Sequence, residues 1–78
     1  MTETIAFSLS IYKKKAIENV MTMYASHARF SVDEKEYALL IEIEPISEAH
    51  AETIIDSFCN HVLFESIVLH RKELGGLL

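Results

Sequence analysis

Residues 30–45 read FSVDEKEYALLIEIEP, and their pattern decides the fold. Phe30 and Val32 open a short strand, and Asp33-Glu34-Lys35-Glu36 is a charged turn. From Tyr37 to Glu44 apolar and polar residues alternate, with Tyr37, Leu39, Ile41 and Ile43 on one side. Period-two alternation marks a strand with one buried face. Two such runs across a short polar turn predict a β-hairpin. Pro45 ends the second strand because it has no N–H for the ladder.

Outward toward the N-terminus, Ile5 to Ile11 (IAFSLSI) alternates again. Ile5, Phe7, Leu9 and Ile11 face one way, and Ala6, Ser8 and Ser10 the other. The period then changes. Between Lys13 and about His27, Ala16, Ile17, Val20, Met21 and Tyr24 recur at three- and four-residue spacing, the stripe of an amphipathic helix. Toward the C-terminus, Ser47 is a candidate N-cap, and Glu48 and Glu52 suit the positive end of a helix. A helix from Glu48 to about Glu73 places Ala51, Ile54, Ile55, Phe58, Val62 and Leu69 on one stripe at about 100° per residue. Leu63, Phe64, Ile67 and Val68 spread over the opposite side. Either the helix breaks near Leu63, or that second face meets a partner. Gly75-Gly76 is a stop signal.

The expected class is α+β, a single β-α-β-β-α domain spanning residues 1–78. A right-handed crossover makes the first two strands parallel, and the hairpin sets the third antiparallel to the second. The order 1-3-2, with both helices on one face, is a ferredoxin-like sandwich without its last strand. The first strand then keeps an open edge, able to accept another strand. The uncovered face would carry Ala6, Ser8, Ser10, Ser31, Ala38 and Leu40.

Composition narrows the function class. Of 78 residues, 12 are acidic and 7 are Lys or Arg, giving a net charge of -5, the reverse of a nucleic-acid-binding face. A single cysteine, Cys59, cannot form an internal disulfide. The segment MTETIAFSLS lacks a basic, apolar leader, and the longest apolar run, Tyr37–Ile41, is far too short for a membrane span. A cytoplasmic protein is therefore expected. Half the residues are apolar, a large share for a chain that can bury only about 60–65% of its unfolded surface. This surplus, concentrated in Leu63, Phe64, Ile67 and Val68, predicts a protein or peptide partner or a homo-oligomer.

Catalytic signals are weak. Cys59 and His61 are two apart and point away from each other on a helix; His61 and Glu65 are one turn apart, a spacing that reaches one metal but arises often by chance. His27 and His70 sit near the ends of the expected helices, where a cation helps the dipole. Lys13, Lys14 and Lys15 open the first helix, where they keep the domain solvated or attract an anion. Nucleophile elbows, phosphate loops, paired-cysteine motifs and zinc-helix motifs are absent. No catalytic residue, metal or cofactor is expected.

The run IAFSLSIYKKKAIENVMTMYASHARFSV resembles the N-terminal half of the small D proteins of the His-Xaa-Ser peptide system. The carriers are Ile11-Tyr12 at the end of the first strand, Ala16-Ile17 in the helix, and the apolar strand that follows. Phe58, Asn60 and Leu63 are similar to that family's Phe-x-Asn-x-x-Leu segment. The resemblance spans about Ile5 to Arg71, and members of the family carry a longer C-terminal tail. It implies a setting: such proteins accompany radical S-adenosylmethionine enzymes that modify ribosomal peptides, and are not themselves radical enzymes. The expectation is a non-catalytic accessory protein that binds the substrate peptide, the maturase or both. Its partner-binding residues would be Leu63, Phe64, Ile67 and Val68 on the late helix and Ile5, Phe7 and Leu9 at the first strand. The alternative is a structural or regulatory homodimer packed through the late helices.

Overall fold

The structure, a computed structural model, describes residues 2–75, with side chains to Glu73. Its elements are β1 (Glu3–Ser8), α1 (Lys14–Met23), β2 (Ala28–Glu34), β3 (Ala38–Pro45) and α2 (Ala51–Gly75), the last preceded by a 3-10 turn at Glu48–His50. The sheet order is β1-β3-β2, and β3 is antiparallel to both neighbours. This is the expected α+β arrangement of a three-stranded open sheet and two helices.

The hairpin closes through a hydrogen bond from the Lys35 N–H to the Ala38 carbonyl at 2.8 Å, leaving Glu36 and Tyr37 as the two loop residues. Tyr37 is therefore not inward: it is 77% exposed. Beyond it the alternation holds, and Leu39, Ile41 and Ile43 are buried. They meet Phe7, Ile17, Val20, Ala28, Ile55, Phe58 and Val62 in one core. Phe58 sits at its centre, with its ring 6.0 Å from Phe7, 5.7 Å from Tyr24 and 5.0 Å from Phe30.

β1 stops at Ser8, three residues before the expected end. The Ser8 carbonyl accepts the N–H groups of both Ile11 and Tyr12, which turns the chain toward α1. Ile11 is thrown outward (67% exposed), while Tyr12 folds back edge-on against Phe7. Ile11-Tyr12 thus lies in the connection, not in the strand. Ser10 is in the same turn, hydrogen-bonded to Ser8, rather than on the open face. That face does carry Ala6 opposite Leu40 and Ser8 opposite Ala38, with Ser31 exposed on β2 opposite Glu42.

α1 ends at Met23, shorter than its sequence pattern, because residues 24–27 turn the chain and the Ala28 N–H bonds the Tyr24 carbonyl. Its buried stripe is Ala16, Ile17 and Val20, as spaced. Its N-cap, Lys13, supplies no capping side chain. Instead the Lys13 N–H donates to the Oγ of Ser66 on α2, at 3.2 Å. Ser66 is 5% exposed, so the bond ties the start of α1 to the second half of α2 away from water. Replacing Ser66 with alanine strands that donor, at a cost of about 1–2 kcal/mol. A far-UV circular dichroism melt should show Tm falling by roughly 5–10 °C; an unchanged Tm would remove the bond from any account of stability.

Ser47 precedes the 3-10 turn but makes no side-chain cap; its carbonyl accepts the His50 N–H at 3.3 Å. α2 runs unbroken from Ala51 to Gly75, so the expected alternative of a break near Leu63 is overturned. Continuity follows from composition: no Pro or Gly interrupts residues 51–74. Gly75 is its last helical residue, and Gly76 lies outside the described residues.

Candidate interaction surfaces

A continuous α2 has one side in the core and another that must go elsewhere. Ala51, Ile55, Phe58 and Val62 are buried, with Ser66 continuing the line. Leu63, Phe64 and Ile67 project from the opposite side at 45%, 61% and 43% exposure; Val68, nearer the flank, is half-buried. Three of the four late-helix residues singled out by their angular position are thus on the surface. Exposed large side chains at i, i+1 and i+4 on one helix form a contiguous patch, which is uncommon away from an interface.

The three residues proposed at the first strand behave differently. Phe7 is 3% exposed, and Ile5 and Leu9 pack against the core. Their side chains face the helices, as their alternation predicts, so a partner at β1 would meet backbone and not these side chains. What β1 can offer is backbone. In an antiparallel ladder, successive residues turn their N–H and C=O groups to alternate sides. The Leu9 N–H donates to the Tyr37 carbonyl at 2.9 Å, so Glu3, Ile5 and Phe7 point toward β3 and Thr4, Ala6 and Ser8 point outward. The Ser8 carbonyl is already taken by the turn. The β1 edge is therefore short, centred on Thr4 and Ala6.

The order β1-β3-β2 leaves β2 as a second edge, and the same reasoning gives its phase. The Lys35–Ala38 hydrogen bond sets the phase of β2, so Arg29, Ser31 and Asp33 face β3. Phe30, Val32 and Glu34 turn their backbone groups outward, and the Ala28 N–H, in the same phase, reaches the Tyr24 carbonyl. Beside this edge an open groove of about 720 Å³ runs between α1 and β2. Met21, Ala25, Phe30 and Val32 line its apolar part, with Lys14 and Glu34 at its rim. Val32 is on the helix-covered side of the sheet, yet it is 50% exposed because α1 does not reach over it.

Several titratable groups are paired within the fold. Lys13 pairs with Glu73 at 2.8 Å and Lys14 with Glu34 at 2.7 Å, so two of the three clustered lysines are already engaged. Hydrogen bonding to Glu34, reinforced by its charge, raises the Lys14 ammonium, and the Lys13 bond correspondingly lowers the Glu73 carboxyl. Both pairs are well exposed and contribute little to folding. The His61 Nδ1 is hydrogen-bonded by the Tyr24 hydroxyl, and its ring lies edge-on to Tyr24. Among the described residues no three His, Cys, Asp or Glu side chains group in a way that could hold a metal ion.

Cys59 is half-buried beside the core. Burial pushes its thiol upward, and the nearby charges of Asp56 and Glu3 push in the same direction. A thiolate is the reactive form, so this environment suppresses nucleophilicity. Iodoacetamide at pH 8 should alkylate Cys59 more slowly than free glutathione, with Glu3→Gln giving a modest acceleration. Alkylation faster than glutathione would mark an activated thiol and overturn this assignment.

Among the described residues, no helix is long and apolar enough to cross a membrane. No protein-family model, curated protein or solved structure matches the chain.

Proposed function

We propose that this protein is a non-catalytic accessory protein of a peptide-modification system, binding the substrate peptide, a radical S-adenosylmethionine maturase or both. The observation that carries the reading is the α2 patch of Leu63, Phe64 and Ile67, exposed on a helix whose other side is fully committed to the core. A helix face of this kind suits a protein groove or another helix, and the short β1 edge at Thr4 and Ala6 suits an added peptide strand. The resemblance of residues 5–71 to the small D proteins supplies the identity of the partners. The location is cytoplasmic in this reading.

Isothermal titration of the purified chain against the precursor peptide and the radical S-adenosylmethionine enzyme that this reading expects to be encoded beside it tests the proposal. Binding to at least one with Kd below about 50 µM, some 6 kcal/mol, is expected. No binding to either at that concentration sinks it. A second reading, a structural or regulatory homodimer packed through α2, draws on the same patch. Sedimentation distinguishes the two: a dimer dissociated by Phe64→Asp favours the second reading.

A further inference from the structure

We propose that β2 is a self-complementary edge at which two copies of the chain join their three-stranded sheets into one six-stranded antiparallel sheet. The inference rests on the phase and charge pattern of residues 28–34, independently of the α2 patch and of the function proposed above.

The outward backbone groups of β2 belong to Phe30, Val32 and Glu34. Two antiparallel copies can share ladder hydrogen bonds only where outward residues face outward residues. Few registers satisfy this, and the side chains choose among them. With Ser31 facing Ser31 across a two-fold axis, Phe30 of each copy faces Val32 of the other, and Arg29 of each faces Asp33 of the other. Sliding the copies one permitted step one way opposes Arg29 to Lys35 and Phe30 to Glu34. Sliding them the other way opposes Arg29 to Ser31 and shortens the overlap. Only the Ser31-centred register pairs opposite charges on the open face and sets Phe30 against Val32 on the helix-covered face, with Ala28 opposite Glu34 at its two ends. Opposite-charge and apolar cross-strand pairs are the favourable ones, and like charges facing each other are unfavourable.

The free chain leaves each of these groups available. The Arg29 and Asp33 side chains are 81% and 62% exposed. Their intrachain ion pairs, Arg29 to Glu44 at 3.5 Å and Asp33 to Lys35 at 3.1 Å, are surface pairs too weak to hold them aside. Val32, half-exposed in one copy, becomes covered in two. A two-fold axis perpendicular to the sheet keeps both α1 helices on the same side. The groove between α1 and β2 then lies along the joint, leaving room for the facing Phe30 and Val32. Both β1 edges and both α2 patches stay open.

The decisive experiment uses the full chain. Sedimentation velocity from about 5 to 200 µM should show a monomer passing to a dimer, as a small edge contact of micromolar affinity requires. Arg29→Asp places acid opposite acid and should weaken the dimer at least 10-fold; adding Asp33→Arg should restore it, while circular dichroism confirms that each variant folds. In a Cys59→Ser background, Ser31→Cys should form an intermolecular disulfide on mild oxidation, because facing residues of a non-hydrogen-bonded pair lie about 4.5 Å apart at Cα, within disulfide reach. Asp33→Cys, offset from its own counterpart, should not. A monomer at the highest concentration, a dimer indifferent to Arg29→Asp, or equal cross-linking at both cysteines overturns the proposal. So does a dimer lost only on Phe64→Asp, which would place self-association on α2.

Discussion

Replacing Phe58 with alanine is expected to leave the chain largely unfolded at 37 °C. Phe58 is 0% exposed, and its ring meets others from β1, the turn after α1, and β2. It is where the two helices and the sheet converge. Truncating a buried phenylalanine costs about 3–5 kcal/mol, the lost transfer energy plus the cavity left behind. A domain of 78 residues has a total stability of roughly 4–12 kcal/mol, so the change removes a large part of it. Thermal melts followed by far-UV circular dichroism should show Tm falling by about 15 °C or more, if a transition survives. Phe58→Leu keeps most of the volume and should cost under about 2 kcal/mol. If Phe58→Ala melts like the parent, α2 is not packed across the sheet at this residue.

Phe64 stands six residues further along the same helix and should behave in the opposite way. At 61% exposure it contributes little to folding. Phe64→Asp should change stability by no more than about 0.5 kcal/mol, the range for surface positions. Against the partner of α2 the effect should be large. An aromatic anchor at the centre of an apolar patch is worth 2 kcal/mol or more in binding, about a 30-fold change in Kd, and a buried charge adds to the loss. Leu63→Ser should weaken the same interaction less. Unaltered affinity for both peptide and maturase in Phe64→Asp would remove this face from the binding account and leave the β1 edge as the alternative.

The sequence made some of this legible and hid the rest for identifiable reasons. The hairpin was readable because Leu39, Ile41 and Ile43 alternate with polar residues across a charged turn. Tyr37 misled because the alternation continues into a loop residue, and pattern alone does not show where the last ladder bond lies. Likewise Leu9-Ser10-Ile11 keeps period two after the Ser8 carbonyl has turned the chain. The end of α1 was obscured because Tyr24-Ala25-Ser26-His27 contains neither Pro nor Gly. On α2, angular position was enough: a long helix has a fixed pitch, so Leu63, Phe64 and Ile67 could be placed opposite the core. The expected order 1-3-2 already made β2 an edge, but its phase was not readable, because the side to which Phe30 and Val32 turn their backbone groups depends on the two-residue length of the hairpin loop.

The unbroken course of α2 has a consequence for how the molecule opens. At 25 residues it is about 37 Å long, whereas an eight-residue strand such as β3 spans about 27 Å. Its first four turns are bolted to the sheet through Ile55, Phe58 and Val62, but beyond Ser66 the contacts thin to partly buried Val68 and Leu69 and the exposed Lys13–Glu73 pair. One rod thus joins two regimes of amide-exchange protection. The leading half is expected to exchange only with global unfolding, and the trailing turns by unwinding from their end, at far lower free energy. A partner that docks on Leu63, Phe64 and Ile67 straddles the boundary between them. Docking would draw the trailing turns into the slow-exchanging class and register as protection well beyond the residues it touches.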